Sequence, residues 1–137
     1  MLFGILIIIT LLVHVISFSS YQIIQEGKPL NSVHFSPDGS LFAVGSQDKI
    51  QNIYSFSTLQ SIYSFDAGGP VRTVRFSPNQ KYLVYALTST KVILMDTNYT
   101  IILNMTSAFS TISEMDFNND STRIVVCGKA GSGVNGY

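Results

Sequence analysis

The feature that most constrains this chain is a seven-residue motif that recurs at a fixed spacing. The motif is V-H-F-S-P-D-G at 33–39, and related segments start at Val74 (V-R-F-S-P-N-Q) and Met115 (M-D-F-N-N-D-S), each 41 residues after the one before. A constant period of roughly 20 to 50 residues is typical of repeat proteins, in which each unit stacks on its neighbours to bury its apolar face. The sequence therefore predicts three units, at 29–69, 70–110 and 111–137, the last of them incomplete.

Each unit divides into short apolar segments separated by turn residues. Proline fixes φ at the second position of the first turn, Ser36-Pro37-Asp38-Gly39, and glycine is favoured at the fourth. Four short segments with a turn roughly every 8 to 12 residues are typical of one antiparallel propeller blade. We therefore predict an all-β fold of four-stranded antiparallel blades. In the first unit the predicted strands are 30–35, 41–45, 50–56 and 60–65.

The later units repeat the scheme and then run out. The second unit predicts strands at 82–86, 91–96 and 101–106, and the third unit ends in a strand at 123–127. The glycine-rich residues 128–137 show no strand pattern, so we expect flexible chain there. One period before 62–66 lies 21–25, which predicts an outermost strand that is detached from its three partners and able to close a ring.

The repeated residues resemble the WD-repeat family of β-propellers. The similarity rests on the motif at 33–39, on A-V-G-S-Q-D at 43–48, and on I-L-M-D at 93–96, where the family often ends a third strand in Trp-Asp. It covers 21–127 and implies about two complete blades plus two partial ones, within a propeller domain at 20–137.

The chain departs from the family pattern at several positions. It contains no tryptophan, so Tyr54 and Met95 stand at the tryptophan position. Ser46 and Asp48 match two members of the family's hydrogen-bonded tetrad in the first unit, whereas the second unit has no matching Asp or His. A related propeller type with a Y-V-T-N-like repeat therefore stays open as an alternative.

Two complete blades do not close a ring by themselves. Propellers close with about four to eight blades, and an open array would expose apolar faces and strand edges to water. Three arrangements of this partial propeller stay open: self-assembly of several copies, a fragment of a longer propeller, and an open arc covered by a partner. We favour the fragment.

The first residues of the chain differ in character from the repeats. Residues 2–13 are almost entirely apolar, and small residues follow. This predicts a signal peptide at 1–19, cleaved after Ser19 or Ser17, or else an uncleaved anchor over 2–18 that would be the chain's one contact with a membrane. Both predict a protein of the secretory pathway, secreted or membrane-anchored. The alternative is a cytoplasmic protein whose N-terminal run is not a signal.

Three glycosylation sequons gain meaning if the chain is secreted. They begin at Asn98, Asn104 and Asn119. Asn98 and Asn119 fall in predicted turns, where a bulky glycan is tolerated, whereas Asn104 falls on an outer strand. We therefore expect a glycan on Asn98 first and regard Asn104 as the poorest acceptor.

No residue pattern in the sequence predicts catalysis, a metal site or a cofactor, and we expect none. Asp116, Asn118 and Asp120 alternate like the start of a calcium-binding loop, but Ser121 and Cys127 replace the glycine and the glutamate that such a loop needs. We expect a turn between two strands there.

Two other side chains have a structural interpretation. Cys127 ends an apolar strand without an accompanying histidine pattern, so we expect a small core residue and no nucleophile. His34 alternates with Val33 and Phe35, so we expect it to point to the surface while its neighbours face the core.

The function predicted from these observations is a non-enzymatic protein-interaction or scaffolding module. Eight basic and eight acidic residues cancel, so nothing attracts nucleic acid by net charge. The alternative is a fragment of a larger enzyme or ligand-binding propeller whose site lies in other blades. The partner is not identified by the sequence. By resemblance in blade geometry, the expected contacts with a protein partner are the loop residues Gln47, Asp48, Lys49, Ser89 and Lys91.

Overall fold

The computed structural model describes residues 28–131, and within that range it contains ten β-strands and no helix. The predicted leader at 1–19, the predicted strand at 21–25 and most of the C-terminal tail lie outside the described residues. In chain order the strands are β1 (Leu30–Phe35), β2 (Leu41–Ser46), β3 (Ile50–Ser55), β4 (Ser61–Asp66), β5 (Val71–Phe76), β6 (Tyr82–Leu87), β7 (Lys91–Asp96), β8 (Ile101–Thr106), β9 (Phe109–Phe117) and β10 (Ile124–Ala130).

The strands form three antiparallel sheets that follow the chain. Sheet order is β1-β2-β3-β4 in what we name blade 1 and β5-β6-β7-β8 in blade 2, while β9 and β10 pair alone as blade 3. The prediction of four-stranded antiparallel blades is therefore confirmed for the first two units. The strands of these units lie within one residue of their predicted bounds.

The third sheet differs from the prediction at both ends. β10 continues to Ala130, inside the stretch expected to be flexible, and β9 begins at Phe109, before the predicted unit boundary. The reason is cross-strand pairing: Gly128 lies opposite Ile112 and Ala130 opposite Phe109. Gly128 permits this pairing, because a Cβ at this position would collide with the carbonyl oxygen of Thr111.

The second strand of each complete blade is mostly apolar on both faces and is buried on both. Residues 42–46 of β2 and 83–87 of β6 are all buried, as expected for a strand between two layers. The outermost strand β8 is exposed along its whole length. In blade 2, burial thus falls from the inner strands to the outer strand β8.

A serine fixes the turn between the first two strands of each complete blade. The Ser36 hydroxyl donates to Asp38 Oδ1 (2.6 Å) and accepts from the Leu41 N–H (2.9 Å). One period later, Ser77 makes the same two bonds, to Asn79 (2.7 Å) and from Tyr82 (2.9 Å). A tight turn leaves some main-chain groups without a main-chain partner, and these buried serine hydroxyls bond to such groups instead.

The core lies between the blades. Ala43 and Ile53 of blade 1 pack with Val71, Val74 and Tyr85 of blade 2 in one apolar cluster. A second cluster joins blade 2 to blade 3, and its buried members are Val84, Ala86, Val92, Ile112, Met115 and Phe117. Neighbouring blades therefore bury apolar faces against each other, as stacked repeats generally do.

Aromatic side chains reinforce the contact between blades 1 and 2. Tyr63 stacks on Tyr99 with ring centroids 4.1 Å apart, and Phe65 meets Tyr85 edge-on at 5.2 Å. Burial raises the pKa of the Tyr85 hydroxyl above its ordinary value. This hydroxyl therefore stays neutral, as a group in an apolar seam must.

The expectations for His34 and its neighbours are wrong in direction. His34 faces blade 2, where its Nδ1 accepts a hydrogen bond from the Phe76 N–H (3.2 Å), while Val33 and Phe35 are exposed. Val33 and Phe35 lie on the face of blade 1 that no described residue range covers with another sheet.

Cys127 is also placed differently from the expectation of a core residue. It lies on β10 and its side chain is exposed. The reason is the same, because the face of blade 3 that carries Cys127 has no further blade packed on it among the described residues.

Candidate protein-binding edge

The turns after β2 and β6 and the connections between blades all lie at one edge of the array, because neighbouring strands run in opposite directions. We name this the upper edge, and it comprises residues 47–49, 67–70, 88–91 and 107–108. Main-chain bonds tie its parts together: the Ala67 N–H donates to the Lys49 carbonyl (2.8 Å), and the Thr88 N–H donates to the Pro70 carbonyl (2.8 Å). The upper edge is therefore internally hydrogen-bonded.

A buried glutamine holds the first turn of the upper edge. Gln51 is fully buried, its Oε1 accepts from the Ser46 N–H (2.9 Å), and its Nε2 donates to the Asp48 carbonyl (3.2 Å). The Asp48 carboxylate accepts from the Ile50 N–H (3.0 Å), which closes the turn. Gln51 was missed from the sequence, although a polar residue at the position that blade 2 fills with Val92 was a usable signal.

An asparagine links the same turn to the next blade. The Asn31 side-chain amide donates to the Val71 carbonyl of blade 2 (2.7 Å) and lies within 3.2 Å of Gln47 Oε1. The Gln47 N–H in turn donates to the Pro29 carbonyl (2.9 Å). Asn31 was also missed, because nothing in the sequence shows that β1 lies beside β5.

The second turn repeats the first without its polar clamp. Ser89 stands one period after Asp48, and Lys91 stands one period after Ile50. The Thr90 carbonyl accepts from the Ser107 N–H (2.6 Å), as the Lys49 carbonyl does from Ala67 in blade 1. The turns of the two blades are thus held in equivalent positions with different side chains.

The structure brings the five predicted contact residues to this one edge. Gln47, Lys49, Ser89 and Lys91 are exposed, and Asp48 is half-buried. Their role in binding stays a prediction. Their main-chain groups are partly engaged in the turns, so the exposed side chains are what an incoming surface would meet.

The opposite, lower edge carries clefts between neighbouring blades. Between the first turn of blade 1 and blade 2 lies a cleft of about 180 Å³, lined by Asp38, Gln80 and Tyr99 among others. An equivalent cleft of about 590 Å³ lies between blades 2 and 3, with Asn79 and Ser121 at the positions of Asp38 and Gln80. Hydrogen bonds from Ser36 and then Ser40 lower the pKa of Asp38, so this carboxylate is charged at neutral pH.

The Ser121 hydroxyl ties the second cleft together by accepting from the Asn79 N–H at 3.0 Å. Of residues 28–131, no group of three or more His, Cys, Asp or Glu side chains could hold a metal ion. The Asp120 carboxylate instead accepts from the Thr122 N–H (3.0 Å), and Asn118 Oδ1 accepts from the Arg123 N–H (2.8 Å). The alternating Asp and Asn residues of this segment therefore serve the turn between β9 and β10.

One ion pair joins blades 2 and 3. Glu114 Oε1 accepts from the Thr73 hydroxyl (2.7 Å) and from Arg75 Nη2 (2.8 Å). Partial burial raises the pKa of Glu114, but the bonds from Thr73 and the Met115 N–H, together with nearby Arg75, lower it more, so it lies below its ordinary value. This pair links the two sheets through side chains.

The sequons lie where the sequence placed them. Asn98 and Asn119 are exposed in turns, and Asn104 is exposed on β8. Use of these sites stays a prediction that depends on passage through the secretory pathway.

Comparison with known proteins gives one family match and several relatives. Residues 18–50 match the family described as WD domain, G-beta repeat. The small ribosomal subunit protein RACK1 of Neurospora crassa is 36% identical over 67 residues, which are 49% of this chain and 21% of that protein. The cross-pathway control WD-repeat protein 2 of Flammulina velutipes is 40% identical over 60 residues, which are 44% of this chain and 19% of that protein. A RACK1 protein of Medicago sativa is 29% identical over 101 residues, 72% of this chain and 31% of that protein.

These matches confirm the resemblance drawn from the repeated motif. The matched segments span about a fifth to a third of the length of these relatives. The match to the family also begins at residue 18, upstream of β1, so it takes in the segment 21–25 that was aligned with an outermost strand.

The predicted secretory location is contradicted by the relatives. Two of the three are named as small ribosomal subunit proteins, which points to the cytoplasmic alternative instead. Because glycosylation of the three sequons requires the secretory pathway, this correction also removes the reason to expect it. Within the described part of the chain, no helix is long and apolar enough to cross a bilayer.

Proposed function

We propose that this chain, whose repeats are of the WD type, is a non-enzymatic module that holds a protein partner at its upper edge. The observation that carries the proposal is the pairing of rigid turns with exposed side chains. The turns at 47–49 and 88–90 are fixed by main-chain bonds, and the turn of blade 1 also by the buried Gln51, while Gln47, Lys49 and Lys91 face solvent. Rigid presentation lowers the entropy that binding must overcome.

The composition of the chain supports a protein as the partner. The eight basic and eight acidic residues leave no net charge to attract a phosphate backbone. Polar and charged side chains around a rigid edge suit the rim of a protein interface, where electrostatic complementarity sets orientation.

The proposal is tested by placing a photo-crosslinking amino acid at single positions of the full chain in a cytoplasmic extract. Replacement of Lys49 or Lys91 should give the same discrete protein adduct, because both positions lie on one edge. Replacement of Lys81 or Arg123 is the matched control, since these are exposed basic residues at the lower edge. Equal adducts from both edges, or adducts from the lower edge alone, would contradict the proposal.

A more specific candidate is attachment to the small ribosomal subunit. The names of the relatives favour it, since two are small ribosomal subunit proteins. The net charge favours contact with a ribosomal protein over contact with ribosomal RNA.

This candidate is tested by co-sedimentation of the chain with purified small ribosomal subunits. The double variant Lys49→Ala/Lys91→Ala should bind about tenfold more weakly, which corresponds to about 1.4 kcal/mol. The double variant Lys81→Ala/Arg123→Ala removes the same charge from the lower edge and should bind like the natural chain. An equal loss in both variants would indicate non-specific electrostatic attraction and would reject the candidate.

A further inference from the structure

The three blades carry equivalent apolar residues on the face turned towards the preceding blade, which we name the leading face. In blade 2 these are Val71 and Val74, both 0% exposed, and they are covered by blade 1. In blade 3 they are Ile112 and Met115, each 2% exposed and covered by blade 2. These positions of the first strand are thus buried in each blade that has another blade packed on its leading face.

Blade 1 carries the same positions uncovered. Leu30 is 41% exposed and Val33 is 59% exposed, although they stand one period before Val71 and Val74. Phe35, one period before the half-buried Phe76, is 49% exposed. Behind them, Phe42, Val44 and Tyr54 form a separate cluster of buried apolar residues on the same sheet. The first strand of blade 1 therefore carries, on the leading face, apolar residues that no blade among residues 28–131 covers.

The opposite face of each blade, the trailing face, shows the complementary pattern at the other end of the array. Val84 and Ala86 of blade 2 are 0% exposed against blade 3. One period later, Val125 is 68% exposed and Cys127 is exposed as well. Among residues 28–131, no blade packs on the trailing face of blade 3 or on the leading face of blade 1.

The two interfaces inside the chain show how such faces meet. Between blades 1 and 2 the close contacts run from β1 and β2 to β5, and between blades 2 and 3 they run from β5 and β6 to β9. The first two strands therefore make the close backbone contacts, and β9 and β10 are the strands that blade 3 possesses. The trailing face of blade 3 therefore contains both strands that a trailing face uses in the two interfaces within the chain.

Residues equivalent to those of one polar contact between blades 1 and 2 are also present in blades 3 and 1. His34 Nδ1 accepts the Phe76 N–H across the interface between blades 1 and 2. Asp116 stands at the position of His34 in blade 3, and Phe35 stands at the position of Phe76 in blade 1. A carboxylate acceptor and a main-chain donor would therefore meet if blade 3 of one copy lay against blade 1 of another.

We propose that the leading face of blade 1 docks on the trailing face of blade 3 of a second copy of this chain. This proposal goes beyond the proposed function at the upper edge and names one partner for another surface. An interface between two different faces closes when the rotation per unit completes a ring. Residues 28–131 of each copy supply three blade positions, so two copies supply six, within the roughly four to eight of closed propellers, whereas three copies exceed that range. The expected assembly is a dimer.

The test is sedimentation equilibrium of the full chain and three variants. The natural chain should have twice the 15.1 kDa mass of one copy. Val33→Asp and Val125→Asp each place a charge on one of the two faces and should sediment as single copies. Ile102→Asp is the matched control, because Ile102 is 49% exposed on β8 of the middle blade, away from both faces, and it should leave the dimer intact.

Mixing the two monomeric variants gives the decisive result. Val33→Asp keeps an intact trailing face and Val125→Asp keeps an intact leading face, so a mixture should form a pair that neither forms alone. A single-copy natural chain, or a dimer insensitive to both variants, would overturn the proposal, as would capture of the leading face by a different propeller protein. The cross-linking at Lys49 and Lys91 uses another surface, so either proposal can fail while the other stands.

Discussion

Three residues at equivalent turn positions have positive φ, and the two that are not glycine carry the conformational cost that glycine avoids. Gly39 has φ 71°, and one and two periods later Gln80 has φ 60° and Ser121 has φ 61°. A left-handed conformation costs a non-glycine residue about 1–2 kcal/mol. The position in the fold therefore imposes the left-handed conformation on all three residues. Of these three turns, only the turn of blade 1 has glycine, which adopts this conformation without strain.

We expect Gly39→Ala to lower the free energy of unfolding by about 1 kcal/mol. The cause would be the backbone alone, because a Cβ at Gly39 meets nothing within 4 Å. Gly39→Asn is the control, since asparagine tolerates this region better and should lose less. Urea unfolding measures both. Equal losses would show that the added side chain, and not the φ angle, is responsible.

His34 makes the contact between blades 1 and 2 dependent on pH. Burial, and then the charge of Arg75, lower the pKa of His34, and Asp116 opposes them less strongly. Because the folded pKa lies below the unfolded value of about 6.5, the stabilisation is complete above pH 6.5 and is lost as the pH falls through the folded pKa. Protonation also removes the acceptor of the Phe76 N–H.

We therefore expect stability to fall between pH 7 and pH 5 by an amount of the order of one hydrogen bond, about 1 kcal/mol. His34→Asn keeps an acceptor near the Phe76 N–H and cannot titrate, so its unfolding midpoint should be flat over this range. Urea unfolding at several pH values compares the two chains. The same slope in both chains would assign the effect to groups other than His34.

At the scale of the strand pair, Gly128 decides whether β10 continues past Cys127. The register shifts between Cys127 and Gly128, and the backbone of Thr111 lies against Gly128. A bulge of this kind brings main chains together where no side chain fits.

We expect Gly128→Ala to destabilise the chain by about 3 kcal/mol, because the added methyl group would meet backbone atoms that do not move aside easily. Gly131→Ala is the control, because a Cβ added at Gly131 would lie 3.4 Å from its nearest neighbour, the Ala108 carbonyl oxygen, which is an ordinary van der Waals distance. Amide hydrogen exchange should show lost protection in β9 and β10 while β2 and β6 stay protected. Unchanged protection in β9 and β10 would mean that the sheet accommodates the methyl group.

The strands were predictable from the sequence because each strand and turn pattern occurs more than once, at the same spacing. The nearly continuous apolar runs at 41–46 and 82–87 and the turn serines Ser36 and Ser77 specify local geometry. What failed depends on contacts between sheets. Gly128 belongs to a strand only because β9 lies beside it, and His34 faces inwards only because blade 2 stands on that side. The upper edge could likewise be located, but not the clamps formed by Asn31 and Gln51.

At the scale of the whole molecule, stability comes from the interfaces between blades, so the same position should matter differently in each blade. Val33, Val74 and Met115 share one position, with exposures of 59%, 0% and 2%. Truncating a buried apolar side chain removes transfer free energy and leaves a cavity, whereas truncating an exposed one does neither.

We expect Val74→Ala to cost about 2 kcal/mol and Met115→Ala about 3 kcal/mol, while Val33→Ala costs less than about 0.5 kcal/mol in dilute solution, where the chain is a single copy. At concentrations that favour the dimer, Val33 would be buried by the second copy, so the cost of Val33→Ala should rise towards that of Val74→Ala. Thermal unfolding of the three variants at low and high protein concentration measures this. A cost for Val33→Ala that stays small at every concentration would mean that no copy covers the leading face, and a large cost even in dilute solution would mean that something within the chain already covers it.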